Sequence, residues 1–482
     1  MSRPKIGVYN RFWSTMGGGE QHAGAAAAVL AQHYDVELIG LSEFDRSKFA
    51  SLLNQPVVAD LPLRIIGLEP TAVSEISRQY DLFINHSYTS EDVCLAPRGV
   101  YVVFFPQRYS MSASRKVQRQ FRLKVVENDG AAHISHDKAR FAGHARIEFK
   151  AKSAGRLSLS VLGKGARVNI ATGFGRQTFE DPGSGRFPVA FDFPKGISTI
   201  VVSGAPVELL VPQLATGQRI PFMEGIQSSQ ESSPAFVDSY DLVLANSAYT
   251  AHWIHERWHR ESVVHYPPVA LRTNSGQKEQ KVLALGRFFD ESVGHCKQQL
   301  RLVRVFKRML ETGLTGWRLV LVGGCDKAHR EYALQVRREA QGFPIDVLLN
   351  ADIDTLNAEL AAASIYWHAT GLGVDTSTFP ERAEHFGIAP VEAMSAGAIP
   401  VIYGVGGPCE IVEHGDSGFI FQTEDELIKW TNTLISMEAQ ERLDMSRRAS
   451  ARASVFSAAR FESELLEHVA HLLEQQPRTE KR

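Results

Sequence analysis

The sequence predicts an α/β protein of two parallel-sheet units, with an all-β stretch inserted into the first. Three observations carry that prediction. Lys5 to Tyr9 is a short apolar run that leads into Gly17-Gly18-Gly19, a mostly Ala helix over about Glu20 to His33, and a second apolar run at Val36 to Leu41. Strand, glycine loop, helix, strand is the rhythm of a parallel sheet. A second unit of this kind opens at VLALGRF, Val282 to Phe288. Between about Phe121 and Leu214, by contrast, no good amphipathic helix occurs. The runs ARIEFKAK, RLSLSVLG, RVNIATG, FPVAFDF, STIVVSG and VELLVP alternate, and Gly, Pro, Asp and Ser separate them. Such runs at short spacing predict a β-sandwich or barrel.

The remaining elements follow in chain order. Leu82 to Asn85 and Val100 to Phe105 read as buried strands, being short, β-branched or aromatic, and bounded by turn residues. After the β-rich stretch the first unit resumes at YDLVLAN, Tyr240 to Asn246, followed by a helix from about Ala248 to Trp258. HYPPV, His265 to Val269, is a rigid extended exit. RTNSGQKEQK reads as a linker. The second unit then continues through a helix around Gln298 to Glu311, the strand Arg318 to Gly324, another helix, the strand IDVLLN, a helix from Asp354 to Ala363, a strand at Ile399 to Ile402 and a Gly406-Gly407 loop. The last helix, roughly Ala458 to Glu474, carries Phe461, Leu465, Leu466, Val469, Leu472 and Leu473 at a spacing that leaves one apolar face for docking on another domain. The expected division is 1–118 with 217–270, an inserted 119–216, then 271–457, and a terminal helix at 458–476.

Bulk properties narrow the function classes. At 482 residues the chain has room for two or three domains, and 44% apolar with 22% charged residues is ordinary for a globular protein. A net charge of −2 provides no global field for nucleic acid. Cys94, Cys296, Cys325 and Cys409 lie far apart and form no CxxC, which fits a reducing cytoplasm. No apolar window of spanning length exists, and the N-terminus reads as a first strand rather than a signal peptide.

The segment EHFGIAPVE concentrates the chemistry. Glu384 and Glu392 stand eight residues apart across a turn containing Gly387. A carboxylate accepts two hydroxyl hydrogen bonds at once, which suits the diols of a ribose and a hexose. Arg287 ends a strand and Lys297 lies ten residues on, near a helix start. A fixed guanidinium with a mobile ammonium suits a diphosphate leaving group, although ordinary surface placement would also explain either alone. Gly17, Gly18 and Gly19 would let backbone amides approach phosphate, or form a plain tight turn; no GKS/T follows, so this is not a P-loop. His368 ends an apolar strand, where a buried, satisfied imidazole is the alternative. HERWH, His255 to His259, matches a zinc-protease pattern, but flanking arginines and packing tryptophans argue against a metal. Asp352 and Asp354 form a DxD that opens a helix, with Asp354 expected as its N-cap and no metal expected there. The cations Arg108, Arg115, Lys116, Arg119, Arg122 and Lys124 form a solvated face, with contact to an anionic membrane surface as the alternative.

Together GGGE (Gly17 to Glu20), NSAYTAHWI, YPPV, GRF with Lys297, IYWHATG, EHFGIAPVEAMSAG and GGPCEIV resemble the retaining GT-B glycosyltransferases of family 4. The resemblance covers 1 to about 110 and 218 to about 470. It implies two Rossmann-like domains facing a cleft, with the β-rich segment an addition to the basic fold. It implies that Arg287 and Lys297 bind the donor diphosphate, Glu392 the ribose and Glu384 the transferred sugar. His368, Phe386, Gly387, Ile388 and Gly407 would complete the donor site, with Gly17 to Gly19 approaching from the other domain. Arg287, Lys297 and Glu384 would be the catalytic set. The implied reaction is metal-independent hexose transfer with retention, from a nucleotide-diphosphate sugar to a glycan or lipid-linked acceptor, with mannose preferred and no cofactor. Peripheral contact with the inner membrane face, and a partner enzyme or oligomer held through the β-insert, belong to the same expectation. A non-catalytic glycan-binding scaffold is the alternative, and a zinc hydrolase at HERWH a remote one. One departure is clear: where relatives often carry a histidine at the end of a YxxHFP-like strand, this chain has Phe104, and His86 is a weak substitute.

Overall fold

The computed structural model describes residues 3–67, 72–107, 121–128, 133–134, 138–204, 206–210, 212–215, 220, 236–272, 277–290 and 294–474. One unit comprises Met1–Pro106 with Ala235–Arg482, the other Gln107–Pro234.

Two parallel sheets build the larger unit. The first has seven strands in the order Val263–Val264, Leu242–Ala245, Gly99–Val103, Leu82–Asn85, Lys5–Tyr9, Asp35–Gly40 and Leu63–Ile65. The second has six, in the order Ile345–Leu349, Arg318–Gly323, Lys281–Leu285, Ile365–His368, Ile399–Tyr403 and Phe419–Phe421. Most of these strands are buried along their length, and parallel sheets covered on both faces have this continuous apolar character. On the second sheet Leu302, Val303 and Phe306 pack with Leu319, Leu321 and Trp367 on one face. Leu283, Val320 and Tyr366 pack with Leu360 and Ala393 on the other.

The helix Gly18–Ala31 presents small residues, so another helix can approach closely. Its Ala23, Ala26, Ala27 and Leu30 share a core with Phe461, Leu465, Val469 and Leu472 of the terminal helix Ala458–Glu474. The C-terminal end thereby packs on the first sheet's unit. Arg98 Nε donates to the Leu472 carbonyl at 2.8 Å, and His265 Nε2 lies 3.1 Å from that of Phe461.

The smaller unit is antiparallel. One sheet runs Arg186–Phe193, Gly155–Leu162, Val207–Leu210, Lys138–Phe141, His133–Ile134, with Gln213–Leu214 also paired to Gly155–Leu162. The other runs Gly175–Glu180, Arg167–Thr172, Gly196–Ser203, His144–Ala151, Phe121–Asn128. Alternate residues of both, among them Ile147, Phe149, Val161, Val168, Phe191, Phe193 and Val202, form one core. Phe149 and Phe193 meet edge to face at 4.7 Å.

Several details differ from the sequence reading. Gly175–Glu180 is a strand that the reading passed over, because GRQTFE shows no apolar alternation: it is an edge strand with most of its residues exposed. The helix at Ile353–Ala362 is capped by Asp352, whose Oδ1 accepts from Thr355 N at 2.7 Å, so Asp354 sits in the first turn and is not the cap. Of the basic run, Arg108, Arg115, Lys116 and Arg119, and the side chain of Arg122, lie outside the described residues; Lys124 is exposed on a strand. Among the described residues no helix is long and apolar enough to cross a membrane.

Candidate functional site

The loop that carries Glu384 is held from behind by glycines. Gly407 N donates to the Glu384 carbonyl at 2.9 Å. A Cβ at Gly406 would stand 2.2 Å from that carbonyl oxygen, and one at Gly407 2.3 Å from the His385 oxygen. No larger residue fits without moving the loop, so Gly407 supports the site from its back. A second clamp comes from the first sheet's unit. Ser247 caps the helix Ala248–Trp258 and donates from Oγ to the His385 carbonyl at 2.5 Å. Glu410, in GGPCEIV, accepts from Ala248 N at 2.8 Å and Tyr249 N at 2.7 Å. The NSAYT and GGPCEIV motifs are thus two halves of one joint.

Glu384 faces inward. Its Oε2 accepts from the Lys297 ammonium, lies 3.4 Å from Thr370 Oγ1, and stands 3.4 Å from His368 Nε2. Burial pushes this carboxyl upward, but Lys297 and then His368 outweigh it, and the group is held well below the usual carboxylate range. Lys297 lies over Gly286, whose φ is +151° and whose added Cβ would meet Lys297 Cγ at 2.5 Å. Burial lowers His368 to about 4 and His385 to about 3, so both are neutral at pH 7. His385 stacks on Phe105 at 4.2 Å, and His295 meets it edge-on at 4.7 Å.

A cavity of about 280 Å³ lies in front of this group. Leu285, Gly286, Lys297, His368, Glu384, His385, Phe386, Gly387, Ile388, Ala389 and Pro390 line it from the chain of the second sheet, and Gly18, His22, Phe104, Asn246 and Pro267 from the chain before it. It sits where Lys281–Leu285 and Ile365–His368 end, the carboxyl edge at which open α/β sheets bind ligands. Gly387, at φ +107°, opens the helix Ile388–Ser395 toward it, and the first amides of a helix favour an anion. A larger depression of about 890 Å³ lies beside Lys278, Trp317 and Arg318, at the opposite ends of the strands and away from these groups.

The other expected site residues are distributed around this cavity. Phe386 anchors the loop in a core with Val391, Ile402 and Phe456. Arg287 is exposed, its guanidinium 5.6 Å from the Phe289 ring, and it does not line the cavity. Glu392 also lies outside the lining; Arg272 binds it at 3.2 Å, yet burial keeps its carboxyl above the usual value. In the glycine loop Gly17 is the N-cap, with its amide donated to Glu20 at 2.8 Å, and Gly19 faces the Phe104 ring; only Gly18 reaches the cavity. At HERWH, His255 pairs with Glu261 at 3.1 Å while His259 takes the left-handed cap position past the helix end, so the two imidazoles do not share one helix face.

Sequence reasoning missed several participants. Gln299, buried, donates to the Gly286 and Arg287 carbonyls at 3.1 and 3.0 Å and fixes the turn before Lys297. Thr370, Arg272, His295 and His385 were also passed over, although His385 adjoins Glu384 in sequence. His22, two residues past GGGE, is 3% exposed and has no hydrogen-bond partner for either ring nitrogen among the described residues. It meets the Phe104 ring edge-on at 5.4 Å and His86 at 5.3 Å.

The comparisons with known proteins agree with this frame. Anabaena HepE, solved with UDP, superposes with a TM-score of 0.53 over 97% of this chain and 100% of its own, at 15% identity. The chain has the GT-B fold. A glycosyltransferase from Rickettsia africae matches this GT-B chain with a TM-score of 0.55, covering 99% and 100% of the two chains at 11% identity. Residues 272–452 match the family model described as glycosyl transferases group 1. Among curated proteins, the GDP-Man:Man(3)GlcNAc(2)-PP-Dol alpha-1,2-mannosyltransferase of Dictyostelium discoideum is 28% identical over 258 residues, 48% of each chain. The human protein of that name is 28% identical over 251 residues, 48% of this chain and 49% of its own. The GT-B chain thus spans about half the length of the curated relatives it matches.

Proposed function

We propose that this protein transfers a hexose, mannose by preference, from a nucleotide-diphosphate sugar to a glycan or lipid-linked acceptor, with retention and without a metal. The observation that carries the reading is the Lys297–Glu384 pair in a cavity at the carboxyl edge of a parallel sheet, beside a helix N-terminus. The mannosyltransferase names of the relatives and the UDP bound to HepE support it. In the reaction the bond from the anomeric carbon to the donor phosphate breaks and a bond to the acceptor oxygen forms on the same face. The acceptor proton passes to the departing phosphate oxygen, so no protein base is needed. Lys297 and the amides at Ile388 and Ala389 offset the charge that grows on the leaving diphosphate, and Arg287, one residue past the lining Gly286, turns inward from the Phe289 ring to join them when donor binds. Glu384 hydrogen-bonds the sugar, and Glu392, oriented by Arg272, the ribose. A lipid-linked acceptor would bring the protein to the inner membrane face.

The test is thermal-shift titration with GDP, UDP, ADP and dTDP and their hexose conjugates, for the wild type and Glu392→Gln. Selective stabilisation by one nucleotide, lost in the variant, is expected and names the base. No shift with any of them would overturn the reading in favour of a glycan-binding scaffold.

A further inference from the structure

Among the described residues, the two most exposed large apolar side chains are Phe174 at 67% and Ile197 at 58%, both at one end of the same antiparallel sheet. Phe174 caps the hairpin between Arg167–Thr172 and Gly175–Glu180; Ile197 is the second residue of the adjoining strand Gly196–Ser203. The register Ala171↔Thr199 brings the hairpin tip beside Ile197, and a Cβ at Gly173 would lie 2.9 Å from Pro194 Cγ in the turn before it. The tip is set rather than loose: Thr172 Oγ1 accepts from Phe174 N at 3.0 Å, and Gly175 turns the chain at φ +131°.

Cations surround this apolar tip. Lys150 pairs directly across from Ile197, Arg176 across from Ala171, and Lys152 and Lys195 lie in the adjacent turns. All four are exposed, and none has an ion-pair partner among the described residues. Two acids of the same unit are already engaged: Asp192 with Arg156 at 3.6 Å and Glu148 with Arg146 at 3.9 Å. The patch therefore combines a projecting aromatic, an exposed aliphatic on the adjoining strand and four exposed cations without an ion-pair partner among the described residues.

We propose that this end of the inserted unit docks on an anionic lipid bilayer, with Phe174 and Ile197 entering the headgroup boundary and the four cations meeting lipid phosphates. Apolar side chains flanked by Lys and Arg suit the interfacial zone, where long basic stems bury methylenes and keep their charges in water. A folded acidic protein fits less well, because lysine is depleted in protein interfaces. The inference is independent of the transfer reaction, since binding is read without donor or acceptor.

The experiment is co-sedimentation of the full chain with phosphatidylcholine vesicles, with and without about one-third phosphatidylglycerol. Phe174→Ser, Lys150→Glu with Lys195→Glu, and Phe174→Trp are compared with wild type. Binding should require the anionic lipid and weaken by about tenfold or more in Phe174→Ser and in the charge-reversed variant. The added tryptophan of Phe174→Trp should be quenched by brominated lipid beyond the wild-type level. These side chains are exposed, so unchanged thermal unfolding checks that the variants fold. Equal binding by Phe174→Ser and wild type, or an unquenched tryptophan, would overturn the proposal. So would binding to soluble polyglutamate but not to vesicles, which would point to an acidic protein instead.

Discussion

At the scale of single residues, the site is a problem in charge placement. Glu384 is a half-buried carboxylate whose ionised form persists because the Lys297 ammonium faces it. The arrangement also fixes Lys297, which lies on Gly286 and emerges from a turn held by Gln299. In the proposed reaction Lys297 meets charge that develops in the transition state. Lys297→Ala should then lower kcat by about 100-fold or more, with a smaller change in KM for the donor. Steady-state kinetics decide the matter, and wild-type turnover in that variant would remove Lys297 from the chemistry.

At the scale of elements, two devices set the cavity. One is the joint in which Ser247 and Glu410 tie the helix Ala248–Trp258 to the Glu384 loop. The other is the terminal helix, whose apolar face covers the small-residue face of Gly18–Ala31, the helix that brings Gly18 and His22 to the cavity. Phe461 is central to that contact, packing edge-on against His22 at 5.1 Å and stacking on His265 at 4.5 Å. Phe461→Ala should remove about 3–5 kcal/mol of packing and speed hydrogen exchange across Ala458–Glu474. Unchanged exchange in that helix would mean that its docking does not depend on this side chain.

For the whole molecule, buried histidines couple the fold to pH. Burial holds His86 and His385 at about 3 and His368 at about 4, and drives His22 well below its ordinary value, with His86 and His265 adding to it. In the unfolded chain each would titrate near 6.5. Between that value and the depressed one, the unfolded state binds the extra proton, so stability is complete above about pH 6.5 and falls as pH drops. The slope is about 1.4 kcal/mol per pH unit for each imidazole. Urea unfolding at pH 7.5 and 5.5 should show a clearly lower midpoint at 5.5, with a shallower dependence in His86→Leu. A midpoint independent of pH over that range would mean that these rings are protonated or hydrated in the native state.

Much of this architecture was legible in the sequence. Buried parallel strands read as continuous apolar runs, as Leu82–Asn85 did, and half-buried antiparallel strands as alternation, as FPVAFDF did; both signals are local, set by which faces a strand must hide. The terminal helix was readable for the same reason, since Phe461, Leu465, Val469 and Leu472 fall on one face. The fold class was therefore determined by the sequence alone. Partnerships across long sequence distances were not. No local pattern says that Glu392 meets Arg272, that Glu410 caps a helix over 160 residues earlier in the chain, or that His22 faces Phe104. Nor does one say that the hairpin tip carrying Phe174 reaches the strand end carrying Ile197 and Lys150, because register sets that placement and composition does not. Which charges are buried, paired or left free is decided only when the chain closes on itself, and the chemistry of the cavity depends on that.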